Sequence, residues 1–169
     1  VVFTTDHGMS LGEHNRTGKS NINPNDDRRW PIYPEVAHIP FLVAAPGLRG
    51  GSTIDLLAQP VDIMPTLFDL AGIRPELPEP LHGKSFAPAL RGGPQLPIHD
   101  FVASGSYLRK RDGILPETAV TPMVYNETWA YAPIGADGPA ELFDLSVDPG
   151  AEVNVAEQYP EVAAAMRVQ

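Results

Sequence analysis

Two short stretches near the start of the chain carry residue types suited to metal and anion chemistry. Thr5-Asp6-His7-Gly8 sets a carboxylate beside an imidazole. Both are metal-ligand types, one a hard oxygen donor and the other a nitrogen donor. Neighbours on a regular strand point to opposite faces, so Asp6 and His7 can meet one ion only where a strand ends. Gly8 permits that departure. Taken alone, the dipeptide reads more readily as a turn cap followed by an exposed histidine. Leu11-Gly12-Glu13-His14 and Lys19 follow on a polar stretch. A lysine held near a metal neutralises an anionic group such as sulfate or phosphate. A solvated surface lysine is the ordinary alternative. For Glu13-His14, a hydrogen-bonded loop anchor weighs at least as much as direct catalysis.

These residues need elements to position them. Residues 1–5 are a β-branched and aromatic run, which predicts a buried strand, parallel to its neighbours, with polar residues at its carboxyl end. Ligands sit at that end in open α/β sheets. Residues 21–29 form a polar loop, and residues 41–45 a second apolar strand closed by Pro46-Gly47. The clearest helix spans residues 62–71. Asp62 can cap it, Pro65 falls in its first turn, and Gly72 suits a left-handed C-terminal cap. Ile63, Leu67 and Leu70 share its apolar face.

Residues 73–98 are rich in Pro and Gly, with a short helix at 85–90. A domain boundary is expected near Pro97, dividing the chain into 1–97 and 98–169. Beyond it, runs at 101–108, 118–125, 128–132 and 141–145 predict a small antiparallel sheet, with a terminal helix at 160–167. The fold class expected is α/β with a small C-terminal α+β subdomain.

The chain has 169 residues with 43% hydrophobic content, enough for one modest domain and an appendix. Its net charge is −9 and it has no basic run, which argues against nucleic acid as a partner. It has no cysteine, so disulfides and cysteine-based zinc sites are excluded. No apolar stretch is long enough to span a bilayer, and no signal peptide is visible. Opening on Val1-Val2-Phe3, inside a strand-like run, the chain reads as a piece of a longer protein. A strand cut from a larger sheet would expose an apolar face, so self-association or marginal stability is expected. The compartment stays open, and a periplasmic or secreted parent fits.

The motifs also occur in a telling order. Thr5-Asp6-His7-Gly8, Leu11-Gly12-Glu13-His14, Gly18-Lys19, Tyr33-Pro34-Glu35, Ile39-Pro40-Phe41 and Pro46-Gly47 come first. Val61-Asp62-Ile63-Met64-Pro65-Thr66-Leu67, Leu70-Ala71-Gly72-Ile73 and His82-Gly83-Lys84-Ser85 follow, and the chain closes on Glu141-Leu142-Phe143-Asp144-Leu145, Asp148-Pro149 and Glu152-Val153-Asn154. Across nearly the whole chain this resembles the sulfatases of the alkaline phosphatase superfamily, with their phosphonate and phosphodiester hydrolase relatives.

The resemblance implies a metal-dependent hydrolase of sulfuric esters, with phosphonate monoester or phosphodiester hydrolysis, or a non-catalytic sulfatase-like module, as alternatives. It implies that Asp6 and His7 are metal ligands, that Lys19 contacts the anionic group of an ester substrate (a sulfate ester, for example of a sugar), and that His14 lies near the site in a catalytic or supporting role. The ion implied is divalent, Ca²⁺ first, with Mn²⁺, Mg²⁺ or Zn²⁺ as alternatives.

Two departures stand out. The family's nucleophile sits in a Cys/Ser-x-Pro/Ala-x-Arg motif in its N-terminal half, and this chain has none; Ser85-Phe86-Ala87-Pro88-Ala89 lacks the arginine. Half an active site is therefore expected here, without turnover by the isolated chain. The spacing from Lys19 to Tyr33 is also longer than the family's. It reads as an insertion whose Arg28, Arg29 and Trp30 are candidates for contact with an anionic sugar, or else as a solvated surface loop.

Overall fold

The computed structural model describes residues 1–19, 31–107, 109–110, 113–114 and 120–167; Arg28, Arg29 and Trp30 lie outside the described residues. The chain divides into two compact units, and the division is not a single cut along the sequence. One unit is Val1–Phe3 with Phe41–Val102, and the other is Thr4–Pro40 with Ala103–Gln169. No sequence signal indicates that residues 4–40 cluster with the C-terminal part.

In the first unit, β1 (Val2–Thr4) pairs with β4 (Phe41–Val43). At their ends Val1 N donates to Ala44 O over 2.6 Å and Ala44 N donates to Val1 O over 2.9 Å. A reciprocal pair of this kind belongs to an antiparallel ladder, so the parallel pairing expected for β1 is not the one it makes with β4. Nor is β1 buried within this chain, since Phe3 is 63% exposed. The residue pattern specifies a strand but not what covers it.

Helix α2 (Ile63–Ala71) follows a 3-10 turn at Pro60–Asp62 and ends where expected, with Gly72 in the left-handed conformation at φ 68°. Its buried side differs from the apolar face expected. Asp62 and Thr66, one turn apart, are fully buried, whereas Leu67 is exposed. The reason is backbone satisfaction. Buried N–H groups need acceptors, and these two side chains supply them. The Asp62 carboxylate accepts from Gln59 N (2.8 Å), Lys84 N (2.7 Å) and His99 Nε2 (2.9 Å). Thr66 Oγ1 accepts from Phe86 N over 3.2 Å, ahead of α3 (Ala87–Leu90). Asp62 therefore caps the turn before α2 and not α2 itself, which has no side-chain cap.

The second unit contains the small strands β2 (Ser10–Leu11) and β3 (Thr17–Gly18), the short helix α1 (Pro34–Ala37), and a four-stranded sheet. The sheet runs in the order β10-β9-β8-β5, made of β5 (Val102–Tyr107), β8 (Val120–Tyr125), β9 (Trp129–Ala132) and β10 (Glu141–Asp144). A separate pair, β6 (Arg109–Lys110) with β7 (Gly113–Ile114), stands beside it in sequence. The pairings β8–β9 and β9–β10 are antiparallel, as expected, with Val124 opposite Tyr131 and Leu142 opposite Tyr131. That register stacks Tyr131 and Leu142 on one face, where α4 (Pro160–Met166) adds Met166 to form the core. Among the described residues no helix is long and apolar enough to cross a membrane.

Candidate functional site

Asp6, His7, His14 and Lys19 all belong to the second unit. β1 runs out at Thr4, and the chain then folds tightly on itself. Thr5 Oγ1 donates to His7 O over 3.1 Å, and His7 N donates to Asp6 Oδ1 over 3.0 Å. These bonds break the strand alternation that would otherwise send the two side chains apart. As a result, Asp6 Oδ2 lies 3.3 Å from His7 Nε2. Gly8 is needed at this point because a Cβ would collide with the carbonyl oxygen of Glu35. Gly8 N instead donates to Val36 O over 2.8 Å, and Met9 N to Glu35 O over 3.1 Å, tying the turn to α1.

The tautomer of His7 follows from its partners. Nδ1 stands 2.8 Å from the carbonyl oxygen of Gly8 and must donate to it. Nε2 stands 2.8 Å from Lys19 Nζ. An ammonium only donates, so Nε2 carries the lone pair. The nitrogen suited to a metal thus faces the nearer oxygen of Asp6. Desolvation pushes the Asp6 carboxyl up, but the positive charge of the His7 ring in its protonated form and the hydrogen bonds from Thr5 and the His7 backbone outweigh it and hold the group below its ordinary value.

Two donor atoms 3.3 Å apart fit one divalent ion. Oxygen-type ligands at about 2.3–2.6 Å and at right angles stand roughly 3.3–3.7 Å from one another. Among the described residues no group of three or more His, Cys, Asp or Glu side chains is placed to hold a metal ion.

Lys19 reaches His7 because the hairpin β2–β3 delivers it. Ser10 pairs with Gly18 and Leu11 with Thr17, and Lys19 follows directly. The bend between the strands contains a 3-10 turn at Glu13–Asn15 with Gly12 at φ 143°, and His14 and Asn15 both at positive φ. His14 sits at the tip, its Nδ1 3.1 Å from Glu35 Oε1 and its Nε2 2.8 Å from Ala151 O. Its ring stacks on Tyr33, centroids 3.7 Å apart and planes within 5°. Tyr33 in turn donates to Glu141 Oε2 over 2.7 Å, and burial with that carboxylate pushes its hydroxyl far above the usual range.

Glu35 also accepts from the buried Ser10 hydroxyl over 2.8 Å. Burial raises the Glu35 carboxyl, while hydrogen bonds from His14 and Ser10 bring it below its ordinary value. For His14 the balance is opposite. Burial lowers it, while Glu35, the Ala151 carbonyl and Glu152 raise it above its ordinary value.

The structure therefore places His7 in contact with both Asp6 and Lys19, and sets His14 in a separate buried network. Sequence reasoning assigned no role to Glu35, Ser10 or Ala151. The Tyr33-Pro34-Glu35 motif was the signal that could have pointed to Glu35, a carboxylate beside an aromatic in a polar stretch.

Residues 25–169 match the family described as N-sulphoglucosamine sulphohydrolase, C-terminal. The delta 4,5-hexuronate-2-O-sulfatase of Bacteroides thetaiotaomicron is 33% identical over 99% of this chain and 33% of its own length. A solved 2-O GAG sulfatase superposes with a TM-score of 0.78 at 31% identity, covering 99% of this chain and 34% of that one. The phosphonate monoester hydrolase of Silicibacter pomeroyi superposes with a TM-score of 0.73 at 26% identity, covering 99% and 32%. The chain thus spans about one third of the length of these proteins. Their shared architecture is the α/β, alkaline-phosphatase-like one expected from the sequence. Since the family match takes in well over half of its residues, the chain belongs to the sulfatases, in the region described as the C-terminal part of N-sulphoglucosamine sulphohydrolase.

Proposed function

We propose that this chain supplies one wall of a metal-dependent sulfuric ester hydrolase site, and that hydrolysis takes place in a longer protein that also carries the nucleophile. The contact set of Asp6, His7 and Lys19 is the observation that carries this reading: two ligand-type atoms 3.3 Å apart and an ammonium 2.8 Å from one of them. Sulfatases work with a divalent metal. Asp6 Oδ2 and His7 Nε2 would hold it, the ion taking the Nε2 lone pair that Lys19 Nζ meets here and releasing the ammonium to the ester, with Ca²⁺ as first choice and Mn²⁺, Mg²⁺ or Zn²⁺ as alternatives. When bound, such an ion would polarise an ester oxygen and help keep a nucleophile deprotonated. Lys19 donates to the non-bridging oxygens of the ester and stabilises the charge that grows on them as the bond breaks.

The substrate proposed is a sulfate ester of a sugar. The names of the hexuronate-2-O-sulfatase and the 2-O GAG sulfatase support testing a 2-O-sulfated uronic acid first. Arg28 and Arg29 would meet its negative charge and Trp30 would stack on the ring. A second reading, phosphonate monoester hydrolysis, draws on the likeness to the Silicibacter enzyme.

The test compares a full-length protein containing this sequence with the isolated chain. Each is assayed with Ca²⁺ on a 2-O-sulfated unsaturated hexuronate disaccharide, an aryl sulfate and a phenyl phosphonate. Sulfate release by the longer protein alone supports the proposal. Turnover by the isolated chain would refute the half-site reading, and a clear preference for the phosphonate would select the second one.

A further inference from the structure

We propose that His14 is the positioning residue of Lys19: clamped between Glu35, Ala151 and Tyr33, it fixes the β2–β3 hairpin so that the lysine ammonium is delivered to His7. The proposal rests on the reading that Lys19 meets the substrate's anionic group.

The chemistry of its partners removes His14 from proton transfer. Its Nδ1 faces a carboxylate and its Nε2 faces a carbonyl oxygen, both acceptors. A neutral imidazole has one N–H and can satisfy only one of them. Both contacts are satisfied when the ring is an imidazolium, which has no lone pair with which to take a proton. Its flat face is occupied by Tyr33. A side chain used on both nitrogens and one face serves as a fastener.

What it fastens is the hairpin. Glu35 Oε1 receives both the Ser10 hydroxyl, at the start of β2, and the His14 ring, at the tip. The carboxylate therefore grips the hairpin at two points. Gly18 pairs with Ser10, and Lys19 is the next residue, so its starting point is set by the same grip.

The backbone carries the mark of this arrangement. Among the described residues, the non-glycine residues with positive φ are His14 (52°), Asn15 (54°) and Ala151 (56°). All three are at the His14–Ala151 contact, 137 residues apart in sequence. Strained backbone persists where the surroundings over-determine it, and it gathers at functional sites. The charged and titratable groups facing His14 are Glu35 from α1, Glu152 beside Ala151, Glu13 from its own turn, and Tyr33.

The test is a double-mutant cycle in the full-length protein, read as kcat/KM on the substrate that the assays above identify. Lys19→Ala is expected to lower it about a hundredfold or more, and His14→Gln up to about a hundredfold, through misplacement of the lysine. If His14 acts through Lys19, the double variant is no worse than Lys19→Ala alone. Multiplying losses would overturn the proposal. An unchanged rate for Lys19→Ala would overturn the role of the lysine and, with it, this proposal. Imidazole ¹⁵N spectra of the unmutated protein at pH 7 give a readout that does not depend on how the variants fold. Both nitrogens of His14 protonated is the expected result, and a ring with one bare nitrogen would overturn the proposal.

Discussion

Lys19 Nζ stands 2.8 Å from His7 Nε2. The nitrogen that could bind a metal and the cation that could bind an anion are thus adjacent, at the end of a hairpin and at the end of a strand. An anionic ester held here would feel the charge of the ammonium together with that of an ion held by Asp6 and His7. Lys19→Arg in the full-length protein keeps the charge but replaces a compact ammonium by a planar fork. Its kcat/KM is expected to fall about tenfold or more, and less than for Lys19→Ala. An arginine variant as active as the unmutated protein would show that the geometry of the ammonium is not used.

Metal content offers a check that does not depend on turnover. If Asp6 Oδ2 and His7 Nε2, 3.3 Å apart, hold one ion as proposed, removing either group takes away one of its ligands. Asp6→Ala and His7→Ala in the full-length protein are each expected to lower bound divalent metal after dialysis, because each removes a donor atom from an ion that wants several. Elemental analysis or a calorimetric titration with Ca²⁺ measures this. Full metal content in both variants would remove the pair from the ligand set.

Gly8 lets the Asp6–His7 turn lie directly against the backbone of α1. A Cβ would collide with the Glu35 carbonyl oxygen, which already accepts from Met9 N. Backbone cannot yield as a flexible side chain can. Gly8→Ala is therefore expected to destabilise the protein by about 1–3 kcal/mol. The urea midpoint should move down accordingly, and an unchanged midpoint would mean that the turn has room to open.

The sequence made Asp6, His7 and Lys19 legible as candidates because each has a chemistry that its type declares. The strands β8, β9 and β10 and helix α2 were legible because alternation, turn residues and the Gly72 cap are local signals. Glu35, Ser10 and Ala151 were not, because their partners lie 21 to 137 residues away and no local pattern encodes them. The inward side of α2 was misjudged for a related reason. Apolar spacing pointed to Ile63, Leu67 and Leu70, but the unmet N–H groups of Gln59, Lys84 and Phe86 drew Asp62 and Thr66 inside.

The Glu35–His14 pair should give stability a pH signature. His14 has its folded value raised, so its contribution is complete below about 6.5, the ordinary value, and is lost as pH rises through the raised value. Glu35 has its folded value lowered, so its contribution is complete above its ordinary 4.5 and is lost as pH falls through the lowered value. The pair therefore stabilises most between those limits. Denaturant midpoints of the full-length protein from pH 4 to 9 are expected to fall on the alkaline side, and Glu35→Gln should flatten that fall. An equal alkaline fall in the variant would assign it to other groups.

Asp62 provides the corresponding test in the other unit. Its carboxylate is fully buried and accepts from two backbone N–H groups and the ring of His99, while Lys84 Nζ donates to Ile98 O over 2.7 Å close by in sequence. Asp62→Ala would leave the N–H groups of Gln59 and Lys84 and the His99 ring without their acceptor. Removing one partner of a buried charged network costs about 3–5 kcal/mol. Asp62→Asn keeps the shape and one acceptor oxygen but turns the other position into a donor that faces donors, so it should recover only part of that loss. The two variants, compared by thermal unfolding, are expected to rank unmutated, then Asn, then Ala. If Asn matched the unmutated protein, the carboxylate's charge would be unnecessary, and hydrogen bonding to a single oxygen would suffice to join α2 to residues 84 and 99.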